Sequence, residues 1–372
     1  MADAALEIHE FSGTHREVGR AHGETLRERV RASLATRMDR CIARTRKKGH
    51  GLSPDEIRAI AREHLPHLAG FSTGLHEENG GIAEGAGVRP EEAFFVSGYT
   101  DVADVVARRA AGSAGDAGSN AGCTTMWAST RATTGGGAYA AQTWDMFAGA
   151  AAELVGLRLR VDEEPECFVF SYGGCVGMMG MNALGVAVCG NSLSPTDARP
   201  GVPWTFLCRA VLASASAAEA PGIFNRARLC SGHHFLVADA SGEAHGIETT
   251  GTRWAEIPVM KNTYAHTNHY LDPELVKLEA PRKATSSSPH RLARARALLA
   301  GAAGRIDRAW IEGALGDHEN GEDSICAHGK PSSDFGPVRS CGALVMDLAR
   351  REARAVRGNP CRGEFRTVSL AG

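Results

Sequence analysis

The sequence predicts an α+β protein in which antiparallel sheets are layered with helices. Three observations predict it. The first hundred residues carry apolar positions at helical spacing, the chain from 123 onward is rich in short β-forming runs, and strands and helices come in groups. Strict alternation would instead indicate a doubly wound parallel sheet.

Taken in order, residues 15–46 set apolar positions at helical spacing among many Arg and Glu, which predicts helix. Ser53-Pro54-Asp55-Glu56 is a helix start: Ser53 caps, Pro54 fits the first turn and Glu56 closes the box. This helix is expected to end near Pro66. Arg89-Pro90-Glu91-Glu92 starts another, running toward Val106. Residues 111–122 form a tract of Ala, Gly, Ser, Asp and Asn that cannot pack a core and is expected to be flexible and exposed, as a domain linker would be. Strands are predicted at 123–129, 138–146, 153–161, 167–172 and 184–190, with Gly135-Gly136-Gly137 as a hairpin turn between the first two. Helices are predicted at 203–215, 216–229, 288–300 and 307–315. A second strand set is predicted at 233–239, 245–250, 253–257, 262–268, 341–348 and 353–358, with turns at 239–242 and 347–351. There is no internal repeat.

Composition narrows the function classes. The chain has 372 residues, 43% hydrophobic and 23% charged, which suits a soluble globular protein with a substantial core. A formal charge of −2 provides no basic field to gather nucleic acid. No apolar run is long enough for a membrane span, and the acidic start Met1-Ala2-Asp3 lacks the basic region and apolar run of a secretory signal. A cytoplasmic location is expected. The ten cysteines include no Cys-x-x-Cys pair and sit mostly in apolar runs, so buried free thiols explain them better than disulfides or zinc.

One cysteine differs from the rest. Cys123 follows the Gly-rich tract directly, after Gly122, and opens a strand. Asp145, in Gln142-Thr143-Trp144-Asp145, closes the strand paired to it by the hairpin, which brings a carboxylate to the thiol. Asn268, in His266-Thr267-Asn268-His269, ends a later strand with an amide suited to donate to an oxyanion.

These segments, together with Ser324-Ile325-Cys326, resemble the isopenicillin N acyltransferase family of self-processing N-terminal-nucleophile enzymes. Ser12-Gly13-Thr14 through Gly19-Arg20-Ala21-His22-Gly23 resembles that family's opening signature, and Gly81-Ile82-Ala83-Glu84-Gly85-Ala86 another of its segments. The resemblance runs from about residue 11 to about residue 359 in matching order. It implies a four-layer αββα fold and cleavage between Gly122 and Cys123. The products would be a mostly helical chain 1–122 and a catalytic chain 123–372, which stay together as a heterodimer in one domain. The thiol would attack the preceding carbonyl, and glycine leaves that carbonyl unshielded. Once freed, the α-amine of Cys123, with a pKa near about 8, can act as base for its own thiol. The resemblance makes Cys123 the nucleophile, Asp145 the group orienting the amine and Asn268 the oxyanion donor. The tract before Cys123 then covers the site until cut.

The expected function is acyl transfer from an amide or acyl-CoA donor to a small amine or water. The alternatives are hydrolysis of small N-acyl or β-alanyl amines, a cysteine hydrolase that works without self-cleavage, and an uncut binding protein. No cofactor or metal is required; acyl-CoA enters only as a substrate. The family pattern continues Ser-Ile-Cys with arginine, whereas this chain has Ala327 followed by His328. Arg339 or His328 is the candidate substitute in substrate binding, and Trp144 is a candidate pocket wall. His233, His234, His266 and His269 read as structural, and the Arg-rich stretch 291–296 as the solvated face of a helix.

Overall fold

The computed structural model describes residues 5–47, 49–111, 122–259, 262–330 and 337–370. The tract expected to cover the site lies, apart from its two ends, outside the described residues. In chain order the elements are β1 (Glu7–Gly13), α1 (His15–Thr25), α2 (Arg27–Lys47), α3 (Pro54–Phe71), α4 (Thr73–Ala86), α5 (Pro90–Ser97) and α6 (Tyr99–Ala111). There follow β2 (Gly122–Ala128), β3 (Tyr139–Phe147), β4 (Leu154–Val161), β5 (Cys167–Tyr172), β6 (Met179–Asn182), β7 (Ala187–Ser192), α7 (Trp204–Leu212) and α8 (Ala220–Arg226). Next come β8 (His233–Ala238), β9 (Ala244–Thr249), β10 (Trp254–Ile257), β11 (Thr263–His266), α9 (Ser288–Ala302) and α10 (Arg308–Leu315). The last are β12 (His328–Lys330), β13 (Val338–Asp347), β14 (Glu352–Arg357) and β15 (Arg366–Ser369).

Two sheets result. The first runs β1-β4-β5-β6-β7-β8-β9-β10, and the second β11-β2-β3-β13-β14-β15 with β12 alongside β13. The β1–β4 pair is parallel, and the other pairs are antiparallel. Alternate residues of a strand enter different cores, because successive side chains point to opposite faces. In β5, Cys167 and Val169 meet the helices of the first half, while Phe168 and Phe170 point at the second sheet. In β13, Leu344 and Met346 point between the sheets, and Ala343 and Val345 pack under α9 and α10. Three cores thus separate four layers, αββα, as the resemblance implies. A sheet covered on both faces explains why these strands read as continuous apolar runs.

Four expectations are corrected. β1 lies inside the region read as wholly helical; its pairing to β4, far along the chain, is a tertiary effect. The helix begun by the Ser53–Glu56 capping box runs on through Pro66 to Phe71. The helix after Arg89 breaks at Gly98, where a Cβ would crowd Pro203. The short strands β6, β12 and β15 lie outside the predicted strands.

The two glycine motifs near the N-terminus have a packing role. Gly19 and Gly23 of α1 face Gly81 and Gly85 of α4. A Cβ on any of the four would fall well inside contact distance of the other helix's backbone: Glu78, Ile82, Arg16 and Arg20 respectively. Their regular four-residue spacing places each pair on one helix face, so α1 and α4 touch backbone to backbone.

Candidate active site

The first residues of β2 lie on the inner sheet, with Gly122 opposite Asp145 and Cys123 opposite Trp144 on β3. Cys123 faces the space between the sheets and is 3% exposed. Burial pushes its thiol up to about 12, and the nearby Asp145 adds to the shift, while Arg291 opposes it. Burial here thus favours the neutral thiol.

Asp145 is also buried. Desolvation lifts its carboxyl to about 6, against the lowering effects of Arg291 and of the Ser340 hydroxyl, which donates to Oδ1 at 2.6 Å. A register shift in β13 between Ser340 and Gly342 places Ser340 across from Asp145, the kind of local re-aiming that bulges provide. The other carboxylate oxygen lies over Gly122: a Cβ there would stand 2.7 Å from Oδ2.

Asn268 follows β11. Its Oδ1 accepts from the Cys123 backbone N–H at 2.8 Å and from Arg291 Nη2 at 2.8 Å, and its Nδ2 donates to the Ser192 carbonyl at 3.0 Å. Two donors on Oδ1 determine the orientation of the amide. Because an amide nitrogen carries two hydrogens, one remains beyond the bond to Ser192. Ser288 Oγ, at the start of α9, accepts from the Asn268 N–H at 2.8 Å and also meets His269 Nδ1.

Arg291 overturns an expectation. The first arginine of the stretch read as a solvated face is 3% exposed. Its Nη1 donates to the Cys123 carbonyl at 2.6 Å and to Thr124 Oγ1 at 3.0 Å. Desolvation lowers its pKa, and Asp145 is the largest opposing influence. The buried residues Ala295, Leu299 and Ala302 lie with Arg291 on one face of α9, so helical spacing was the signal that could have found it.

The cavity at Cys123 is lined by Arg37, Tyr99, Trp144, Tyr172, Ser192 and Trp204, among others. Trp144 is a wall residue, stacked on Tyr172. Arg37 is buried, pairs with Glu153 at 2.6 Å and sits over the Tyr172 ring. Neither His328 nor Arg339 is among the lining residues. His328 instead faces His318, Cys326 and Cys361. Arg291, rather than His328 or Arg339, bonds the Cys123 backbone. A larger groove of about 740 Å³, lined by Ser12, Arg20, Arg160 and Glu164, among others, has no cysteine in its lining.

Of the histidines read as structural, three have buried hydrogen-bond partners. His266 bonds Glu248 at 2.7 Å, His233 bonds Asp101 at 2.9 Å, and His234 lies between Asn191 and Tyr264. Gln142 exchanges two hydrogen bonds with the Gly190 backbone, at 2.6 and 2.7 Å, and so ties the two sheets together beside Cys123. No helix among the described residues is long and apolar enough to cross a membrane.

The chain matches the family model for acyl-coenzyme A:6-aminopenicillanic acid acyl-transferase over residues 132–360. The 40 kDa form of acyl-coenzyme A:6-aminopenicillanic-acid-acyltransferase from Emericella nidulans is 25% identical over 264 residues, covering 70% of this chain and 68% of that protein. Among solved structures, penicillin V acylase from Agrobacterium tumefaciens matches with a TM-score of 0.43 and 13% identity, over 63% of this chain and 83% of that one. A mutant of conjugated bile acid hydrolase from Clostridium perfringens matches with a TM-score of 0.40 and 12% identity, over 66% and 96%. The family model spans more than half of the sequence, and this chain belongs to the acyl-coenzyme A:6-aminopenicillanic acid acyltransferase family.

Proposed function

We propose that the chain cuts itself between Gly122 and Cys123 and then uses Cys123 to carry acyl groups from an amide or acyl-CoA donor to a small amine or water. The observation that supports this best is the convergence of three side chains on one junction. The Asp145 carboxylate lies over Gly122, Asn268 holds the Cys123 N–H, and Arg291 holds the Cys123 carbonyl.

In the first stage the Cys123 sulfur bonds to the Gly122 carbonyl carbon and the Gly122–Cys123 C–N bond breaks. The thiol proton passes to the departing nitrogen, with Asp145 as the carrier beside it. Water then hydrolyses the thioester, leaving a carboxylate on Gly122 and a free α-amine and thiol on Cys123. The β1–β4 pairing supports the two chains remaining together as a heterodimer.

In the second stage the α-amine, now the local base, takes the thiol proton as sulfur attacks the donor carbonyl. The remaining N–H of Asn268 is available to the oxyanion, and Asp145 orients the amine. The donor's amine or thiol leaves with that proton, and the acceptor amine, or water, resolves the thioester. No cofactor is needed for these steps. Arg37, with the aromatic rings around it, offers a cation to a polar substrate end, a task the sequence had left to His328 or Arg339.

Intact mass of the denatured protein tests this reading. Cleavage at Gly122 divides 39.2 kDa into pieces of about 13 and about 26 kDa in proportion to length, with Cys123 leading the larger. A Cys123→Ala variant is expected to stay whole and inactive. A wild-type chain that stays whole would instead favour the binding-protein reading. Cleavage or turnover in the variant would remove Cys123 from its role.

A further inference from the structure

His318, Cys326, His328 and Cys361 bring two imidazoles and two thiols together at the far end of the β12–β13 region. One ligand atom from each lies within 4.8 Å of every other. Cys326 Sγ is 3.7 Å from Cys361 Sγ and 3.5 Å from His328 Nε2, Cys361 Sγ is 3.3 Å from His328 Nε2, and His318 Nε2 is 2.8 Å from His328 Nε2.

We propose that these four residues bind a structural zinc ion. Zinc takes thiolate and imidazole ligands tetrahedrally, at about 2.3 Å from sulfur and about 2.0–2.1 Å from nitrogen. A tetrahedron of those bond lengths has edges of about 3.8 Å between sulfurs and about 3.6 Å between sulfur and nitrogen. The sulfur–sulfur and sulfur–His328 distances already lie near these edges, and closing the set around an ion requires the two imidazoles to part slightly. The two sulfurs are far beyond the about 2.05 Å of a disulfide bond. Two soft thiolates with two imidazoles select zinc over the oxygen-seeking divalent ions. Four protein ligands close the coordination sphere and leave no position for substrate, so the ion would be structural.

The surroundings fit a metal-bound thiolate. Asn359 Nδ2 lies 3.4 Å from Cys326 Sγ, placed to donate to it, and also donates to the Ala327 carbonyl at 2.7 Å. Such outer partners orient ligands and tune them. Binding displaces the two thiol protons to solvent as the sulfurs take up the ion. The site would pin the Cys326–Ala327–His328 segment. The Ala327 N–H donates to Ser340 Oγ, and the Ser340 N–H donates to the Ala327 carbonyl, directly behind Asp145. This departs from the expectation that Cys326 and Cys361 are merely inert thiols and that His328 serves the substrate. The ligands are scattered over 318, 326, 328 and 361, with none of the spacings of a familiar zinc motif.

Elemental analysis of the full chain, purified under reducing conditions without chelator, is expected to find one zinc per chain. Cobalt added to the stripped protein is expected to bind with the same stoichiometry and to give the strong visible bands of a tetrahedral site with thiolate charge transfer. Cys361→Ser, on the exposed side of the cluster, and His328→Ala are each expected to remove the charge transfer or weaken cobalt binding at least tenfold, with the fold checked by circular dichroism. The proposal is overturned if the reduced protein takes up neither zinc nor cobalt. It is equally overturned if the metal persists undiminished in both variants, or if Cys326 and Cys361 are recovered as a disulfide and the protein binds no metal after reduction.

Discussion

The Asp145 carboxylate occupies the space where any side chain at position 122 would begin: a Cβ on Gly122 would stand 2.7 Å from Asp145 Oδ2. The residue before the candidate nucleophile and the acid beside it are therefore fitted to each other. Gly122→Ala must displace Asp145 or the start of β2. The expected outcome is a chain that folds but is cut at least about tenfold more slowly, since a misplacement of about 1 Å at a reacting centre can cost about 100-fold. A time course of intact mass after synthesis reads this directly.

Asp145 is expected to give the proposed cleavage a pH dependence. Its folded pKa is about 6, raised from 3.8 by burial. A raised carboxyl pKa means the folded state holds its proton longer than the unfolded state does. Stability is therefore expected to fall as pH rises from about 4 to about 6 and then level off, by on the order of 3 kcal/mol at 1.36 kcal/mol per unit. Comparing Cys123→Ala with the Cys123→Ala/Asp145→Asn double variant by denaturant titration isolates this term, because neither chain can be cut; the second should lack the slope. Cleavage in the wild type should accelerate through pH 6 as the carboxylate forms.

Ser340→Ala removes the hydroxyl that donates to Asp145 Oδ1 at 2.6 Å and holds the carboxyl down. The midpoint of the cleavage pH profile is expected to move upward. A profile measured across pH 5–8 that keeps its midpoint would show that another group sets it.

Arg291 is a buried cation whose hydrogen bonds go to the Cys123 carbonyl, Thr124, Asn268 and Ser287. Arg291→Met preserves length and removes the charge, leaving Asp145 without the cation that lowers its carboxyl pKa. Breaking a buried charge arrangement of this kind costs about 3–5 kcal/mol. A lowered denaturation midpoint and slowed cleavage are both expected. Arg291→Lys should fall between, because an ammonium cannot span the same acceptors as a guanidinium fork.

The α1–α4 contact supports a prediction away from the site. Gly81→Ala pushes a Cβ into the Arg16 carbonyl of the facing helix. Overpacking of this kind costs about 1–3 kcal/mol. Thermal unfolding should shift downward while the cleavage rate in native buffer stays within about twofold, since α4 does not touch Cys123. A large change in cleavage would mean that the helical layer is coupled to the junction.

Much of this architecture was legible in the sequence because its signals are local. The Ser53–Glu56 box, the glycine-containing hairpin connection and the short apolar β-forming runs act over a few residues, and the elements they specify form. The hairpin pairs the strands of Cys123 and Asp145, but their register centres between Thr133 and Thr134, within a connection of residues 129–138 that is longer than the three glycines. Arg291 and Ser340 were not legible. Arg291 comes to Cys123 only because α9 docks its first turn against β2, 168 residues away, and Ser340 faces Asp145 only because β13 shifts register there. The same holds for β1, which reads as part of a helical region until β4 offers it hydrogen bonds. The sequence by itself determined the type of most elements and the hairpin that joins the strands of Cys123 and Asp145, because local conformational preference and turn geometry act within the chain, and the nucleophile role of Cys123 rested on the family resemblance. Only the tertiary structure decided which charge is buried beside Cys123 and which histidines and cysteines meet, because desolvation and long-range packing depend on segments that sequence distance does not relate.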